Sequence, residues 1–133
     1  VYKRQHNENA IAVSNYLSNH PKIEKVFFPG TDKRHKEIAE KQMDGFGGMM
    51  SFVIDSDING VKTFLKNLNL FTLAESLGGV ESLIEHPAIM THASIDPSIR
   101  EKLGISETLL RISVGIEDVD DLISDLDQAL SKI

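Results

Sequence analysis

The stretch Leu110-Arg111-Ile112-Ser113-Val114-Gly115-Ile116 decides how the rest of the chain is read. Side chains of a strand alternate between its two faces, so Leu110, Ile112, Val114 and Ile116 share one face and Arg111, Ser113 and Gly115 the other. One face is apolar enough to pack on a core, and the other offers a cation flanked by small residues. A strand buried on one side needs helices there, and the flanking sequence provides them. Val119, Leu122, Ile123, Leu126, Leu130 and Ile133 recur at helical spacing and predict the most clearly amphipathic helix of the chain. Glu117 or Asp118 lies near the positive end of that helix and Lys132 near its negative end, which matches its dipole.

Working back towards the start, Met49 to Ile54 alternates in the same way, with Met50, Phe52 and Ile54 on one face. Asp57 can cap a following helix whose stripe is Ile58, Val61, Phe64, Leu65 and Leu68. Val26-Phe27-Phe28 before Pro29-Gly30 reads as a strand closed by a turn. Ala10, Val13 and Leu17 mark a helix that Asn19-His20-Pro21 stops, and the polar stretch Lys33 to Lys41 reads as a surface helix. A third strand is predicted from Leu70 to Glu75, running into Ser76-Leu77-Gly78-Gly79. After it the pattern becomes irregular, with Pro87 and Pro97 bracketing Met90-Thr91-His92-Ala93 and a short helix near Ile99 to Leu103. The order predicts an α+β domain: a short, mainly antiparallel sheet of about four strands with helices covering one face. The face carrying Arg111 then meets solvent, a partner or another domain.

The 133 residues suffice for one domain that buries roughly two thirds of its unfolded surface. Apolar residues at 41% and charged residues at 26% describe a globular chain rather than a disordered one. No apolar run approaches the ~18 residues of a membrane span. Net charge is −6 and the basic residues are dispersed, which argues against binding nucleic acid through its phosphates. The absence of cysteine removes disulfides, thiolate metal sites and thiol nucleophiles, and it fits a cytoplasmic setting. The chain opens on Val1-Tyr2-Lys3-Arg4 without methionine and runs directly into a helical pattern, as if cut from something longer.

Most candidate motifs have plain readings. Gly45-Phe46-Gly47-Gly48 precedes a strand, whereas a phosphate loop follows a strand and opens a helix, so it reads as a tight turn. The 5 histidines are scattered without a helical HxxxH pair, and no metal site is predicted. His86 and His92 read as structural hydrogen-bonding groups. The lysines lie on polar helix faces, turns or helix ends, not in a pocket that would activate a Schiff-base nucleophile. Two features keep a functional reading. In Ala74 to Ser82 a strand ends in the Ser76 hydroxyl and in Gly78 and Gly79, whose amides can converge on a carboxylate or phosphate, or the stretch forms a turn with a helix cap. Arg111 can grip a carboxylate bidentately, or form a structural salt bridge to an acidic helix.

The run Leu70-Phe71-Thr72-Leu73-Ala74-Glu75-Ser76-Leu77-Gly78-Gly79-Val80-Glu81-Ser82-Leu83, with Met90-Thr91-His92-Ala93, Gly104-Ile105-Ser106 and Leu110 through Asp118, carries a specific resemblance. It resembles the C-terminal domain of the pyridoxal-phosphate (PLP)-dependent enzymes of cysteine and methionine metabolism, in particular the cystathionine γ-synthase and γ-lyase branch. The resemblance runs along the whole chain and covers about the last third of such an enzyme.

It implies that residues 1–133 form the C-terminal small domain of a fold type I PLP enzyme. Arg111 is then the group that binds the substrate α-carboxylate, and Ser76 lies beside it, neighbouring the cofactor. Glu75 is implied to reach towards the distal part of the substrate, with Thr91 close by. The implied substrates are small amino acids such as cystathionine, O-acylhomoserine and cysteine, and the parent is implied to be a homotetramer. Methionine γ-lyases usually carry an apolar residue where Glu75 stands, and enterobacterial cystathionine β-lyases carry aromatic residues around Ser76-Leu77. Both departures point away from those branches, as alternatives to which O-acylhomoserine sulfhydrylase also belongs. No catalytic residue is implied in this chain: the Ser-x-x-Thr-Lys setting of the Schiff-base lysine does not occur in it, so residues 1–133 alone are expected to be inactive and not to bind PLP. The rival expectation is a non-catalytic domain in which Arg111 and the glycine loop hold a carboxylate or pack on a partner.

Overall fold

In the computed structural model, which describes residues 2–133, ten elements alternate along the chain. They are α1 (Tyr2–Ser18), β1 (Ile23–Phe27), α2 (Lys36–Gln42), β2 (Met49–Ile54), α3 (Ile58–Lys66), β3 (Thr72–Leu73), β4 (Leu83–Glu85), α4 (Pro97–Lys102), β5 (Leu109–Ser113) and α5 (Val119–Leu130). The strands form one sheet in the order β1-β2-β5-β4-β3, antiparallel except for the β3–β4 pair. The predicted α+β class and one-sided helix cover are realised.

Alternation sets the core. Met50, Phe52 and Ile54 of β2, Ile84 of β4 and Leu110 and Ile112 of β5 are buried with Ala10, Val13 and Leu17 of α1, Val61 and Phe64 of α3, and Leu122, Leu126, Ala129 and Leu130 of α5. Phe52 and Phe64 meet edge to face with centroids 6.3 Å apart, a geometry that adds about 0.5–1.5 kcal/mol to their burial. Helix starts follow the sequence: Asp57 accepts from the amides of Asn59 and Gly60, and Asp118 from those of Asp120 and Asp121. Asp96 caps α4, with Pro97 in its first turn.

The sheet has a fifth strand inside the stretch that the pattern leaves irregular. Leu83, Ile84 and Glu85 are all buried, so β4 shows no alternation, and an acid in the middle disguises it further. The third predicted strand shrinks to Thr72–Leu73, because it pairs with this short partner. The ladder of β5 stops at Ser113. Beyond it the amides of Val114 and Ile116 donate to the carbonyls of Gly48 and Val80, which belong to loops. The α5 helix ends at Leu130, and the cation at its C-terminal carbonyls is Lys22, whose Nζ donates to Leu130 O at 2.9 Å, rather than Lys132.

The connection from α3 to β3 is held by one buried carboxylate. Asp125 of α5 accepts from the amides of Asn69 and Leu70, both at 2.8 Å, and from that of Phe71 at 3.2 Å. Asp125→Ala strands these donors and is expected to lower stability by about 2–4 kcal/mol, read as a lower urea midpoint at unchanged slope.

Candidate functional site

The face of the sheet away from the helices carries the candidate site. Register places Ser51 of β2 and Glu85 of β4 on either side of Arg111 in β5, so the three form one cross-strand row. The Arg111 Nη2 lies 2.6 Å from Glu85 Oε2 and donates to the Glu75 carbonyl at 3.1 Å. Glu85 is 1% exposed and Arg111 25%, so the acid is the inner member of the pair and the guanidinium the outer one. The close approach is an ion pair rather than an aligned hydrogen bond, and neither Glu85 oxygen has an aligned donor among the described residues. The partner of Arg111 is therefore an acid on the neighbouring strand, not on a helix.

The loop from Ala74 to Ser82 is laced to β5 and its continuation. Arg111 holds the Glu75 carbonyl, Ser113 Oγ accepts from the Gly78 amide at 2.8 Å, and Ile116 donates to Val80 O at 2.9 Å. Ser82 is tied twice to Glu117, through its amide at 2.6 Å and its hydroxyl at 2.8 Å, and its Oγ accepts from the Gly115 amide. A Cβ on Gly115 would stand 2.4 Å from Val80 O, so only glycine allows the loop to lie this close. Gly78 turns the loop with φ +77°. Because its amide is already bonded to Ser113, Gly78 does not contribute to the predicted convergence of glycine amides on an anion. The helix cap does not form, since the chain goes on to β4.

Glu75 and Ser76 are thus brought to Arg111: the first through its carbonyl, the second as the next residue, and both side chains are exposed. Thr91 stands apart in bonding. Its hydroxyl pairs with His92 Nδ1 at 2.7 Å in its own turn, and no hydrogen bond joins it to Arg111, Glu75 or Ser76 among the described residues. The turn itself is braced by Arg100, which donates to Ala88 O at 2.6 Å. Beside the laced loop lies a cleft of about 800 Å³ bounded by Arg4, His6 and Asn7 of α1, by Gly47, and by Gly78 and Ser113. Asn7 Oδ1 accepts from the amides of Phe46 and Gly47, which makes the Gly45–Gly48 stretch a turn pinned to α1. Sequence reasoning missed Glu85 and the clamp residues Ser113 and Glu117. The every-second-residue spacing of Arg111, Ser113, Gly115 and Glu117 was the signal for the clamp.

His86 follows Glu85 and is completely buried, with Nε2 2.7 Å from Glu107 O and Nδ1 unpartnered among the described residues. Burial pushes its pKa below the ordinary 6.5, against the opposing pull of the Glu107 carbonyl. The unfolded chain therefore binds a proton that the folded one resists. The stability His86 contributes is complete above pH 6.5 and is lost as pH falls through that value towards the lower folded pKa. Melting temperatures from pH 8 to pH 5 are expected to fall more steeply for the native chain than for His86→Gln.

The family described as Cys/Met metabolism PLP-dependent enzyme matches residues 2–131. Cystathionine γ-lyase of Dictyostelium discoideum is 54% identical over 133 residues, 99% of this chain and 34% of that protein. Cystathionine β-lyase of Coxiella burnetii is likewise 54% identical, over 98% of this chain and 34% of its own length. Among solved structures, cystathionine γ-synthase from Xanthomonas oryzae pv. oryzae in complex with cystathionine superposes with a TM-score of 0.93 at 47% identity, covering 98% of this chain and 34% of that one. The chain thus spans about a third of the length of the curated relatives it matches.

Proposed function

The chain belongs to the Cys/Met metabolism PLP-dependent enzymes, and on that premise we propose that residues 1–133 are the C-terminal small domain of a cystathionine γ-synthase or γ-lyase type enzyme, supplying the site for the substrate α-carboxylate. The observation that carries this reading is the mounting of Arg111. Only its Nη2 is engaged, by Glu85 and by the Glu75 carbonyl, while Nε and Nη1 have no hydrogen-bond partner among the described residues. A guanidinium held at one corner and three-quarters buried keeps N–H donors for a carboxylate and cannot swing away from it.

The donor set of this chain fits the substrate side of a PLP site. It offers a guanidinium and the Ser76 hydroxyl, which would neighbour the cofactor, whereas none of its lysines is buried among the described residues. PLP, when bound, supplies an electron sink for the carbanion left at Cα on loss of its proton. This chain's own part is orientation: Arg111 fixes the carboxylate, and with it the Cα–H bond, while the exposed Glu75 carboxylate is free to meet the distal part of the substrate. Thr91 is included on resemblance. The reading extends to small amino-acid substrates (cystathionine, an O-acylhomoserine and cysteine), to a cytoplasmic setting and to a homotetrameric parent. Among the described residues, no helix is long and apolar enough to cross a membrane. β-Lyase relatives match as well as γ-lyases do, so a β-elimination variant of the same site is the second reading.

In the full-length enzyme, Arg111→Lys is expected to raise KM by about 10- to 150-fold, the equivalent of losing a charge-assisted contact worth ~1.5–3 kcal/mol, with a smaller effect on kcat. An unchanged KM would leave Arg111 as the structural partner of Glu85 alone. Assaying an activated homoserine ester with cysteine against cystathionine alone separates the γ-synthase from the lyase reading.

A further inference from the structure

Arg111 is explained by the proposed carboxylate site, but Glu85 is not. A buried carboxylate is costly unless paired, and this one lies where an apolar residue would complete the all-buried strand β4. Its mounting is rigid. Ser82, three residues before it, is tied to Glu117 by two hydrogen bonds, and His86, directly after it, is buried and bonded to Glu107 O. The β4–β5 ladder then sets Glu85 opposite Arg111. Arginine loses considerable rotamer freedom when fixed, so a guanidinium on a partly open face needs a fixed partner if it is to wait in one orientation.

We infer that Glu85 is the positioning residue of the carboxylate site: it holds Arg111 at Nη2 from the inner side and so presents Nε and Nη1 to the substrate. This inference rests on the proposed role of Arg111. It assigns to Glu85 no contact with substrate or cofactor, and its effect passes entirely through the guanidinium. The amide of glutamine keeps the shape and one acceptor, so Glu85→Gln retains part of the hold, while alanine removes it.

The test uses the full-length, PLP-loaded enzyme with Glu85→Gln, Glu85→Ala, Arg111→Lys and the Glu85→Gln/Arg111→Lys double variant. It reads the calorimetric Kd for an amino acid that lacks a leaving group, together with KM and kcat for the substrate. Glu85→Gln is expected to raise Kd and KM about threefold with kcat within about twofold, and Glu85→Ala to raise them about tenfold, since charge assistance roughly doubles the strength of such a contact. In the Arg111→Lys background, Glu85→Gln should add nothing further, because the two residues act as one unit. If Glu85→Gln lowers the melting temperature but leaves Kd unchanged, or raises Kd equally in both backgrounds, the inference is overturned. Should Glu85→Ala fail to fold, the glutamine variant and the double variant decide alone. An Arg111→Lys enzyme with unaltered Kd would instead sink the carboxylate-site reading itself, a result distinct from failure at Glu85.

Discussion

Every second residue from Arg111 to Glu117 is bonded to the loop that begins at Glu75, and the rest of the site depends on that lacing. Arg111 takes the Glu75 carbonyl, Ser113 the Gly78 amide, Gly115 the Ser82 hydroxyl and Glu117 the Ser82 amide and hydroxyl. Each bond is individually worth on the order of 1 kcal/mol, more where Glu117 lends charge. Their number matters more than any one of them, because together they turn an exposed, glycine-containing loop into a fixed edge of the sheet. The helix α1 reinforces the same segment from another side: Asn9 Nδ2 donates to the carbonyls of Gly115 and Glu117, and His6 bonds to Val114 O.

The electrostatics of the row Ser51–Arg111–Glu85 follow from where each group sits. Removing one partner of a buried ion pair typically costs about 3–5 kcal/mol, because the other charge is left without solvent. Here the cost falls unequally. Glu85 is enclosed and depends on Arg111, while Arg111 is open enough to keep contact with solvent or a ligand. A guanidinium has five N–H donors in a rigid fork, so holding one corner leaves the remaining donors in a defined plane. The same pair therefore stabilises β4 within the sheet and leaves a cationic edge on the partly open face of the sheet, and neither role excludes the other.

Much of this was legible in the residues. The alternation of Met49 to Ile54 gave β2 with its ends, and the stripes through Val61 and Leu122 gave two of the three helices that cover the core. Asp57 and Asp118 marked helix starts through ordinary capping chemistry. What escaped had physical causes. A three-residue strand buried on both faces has no period, so β4 and its acid went unseen. The true end of β5 depends on which carbonyls receive the amides of Val114 and Ile116, and those belong to loops far away in sequence. The cation for the end of α5 comes from Lys22, which local sequence at that helix cannot reveal. For the site, Arg111 was picked out as a cation on an otherwise apolar and small-residue strand and Ser76 by the glycine run after it, while Glu75 came only from the family resemblance. Arg111's partner became visible only through strand register.

The central claim is that sheet register delivers Arg111, already oriented, to a substrate carboxylate. Its most direct measurement is a crystal structure of the full-length, PLP-loaded enzyme with an unreactive amino acid bound. The account predicts both α-carboxylate oxygens within about 3 Å of the Arg111 guanidinium, with Nη2 still against Glu85. A carboxylate held by other residues, with Arg111 contacting only Glu85 and the Glu75 carbonyl as it does without ligand, would contradict it.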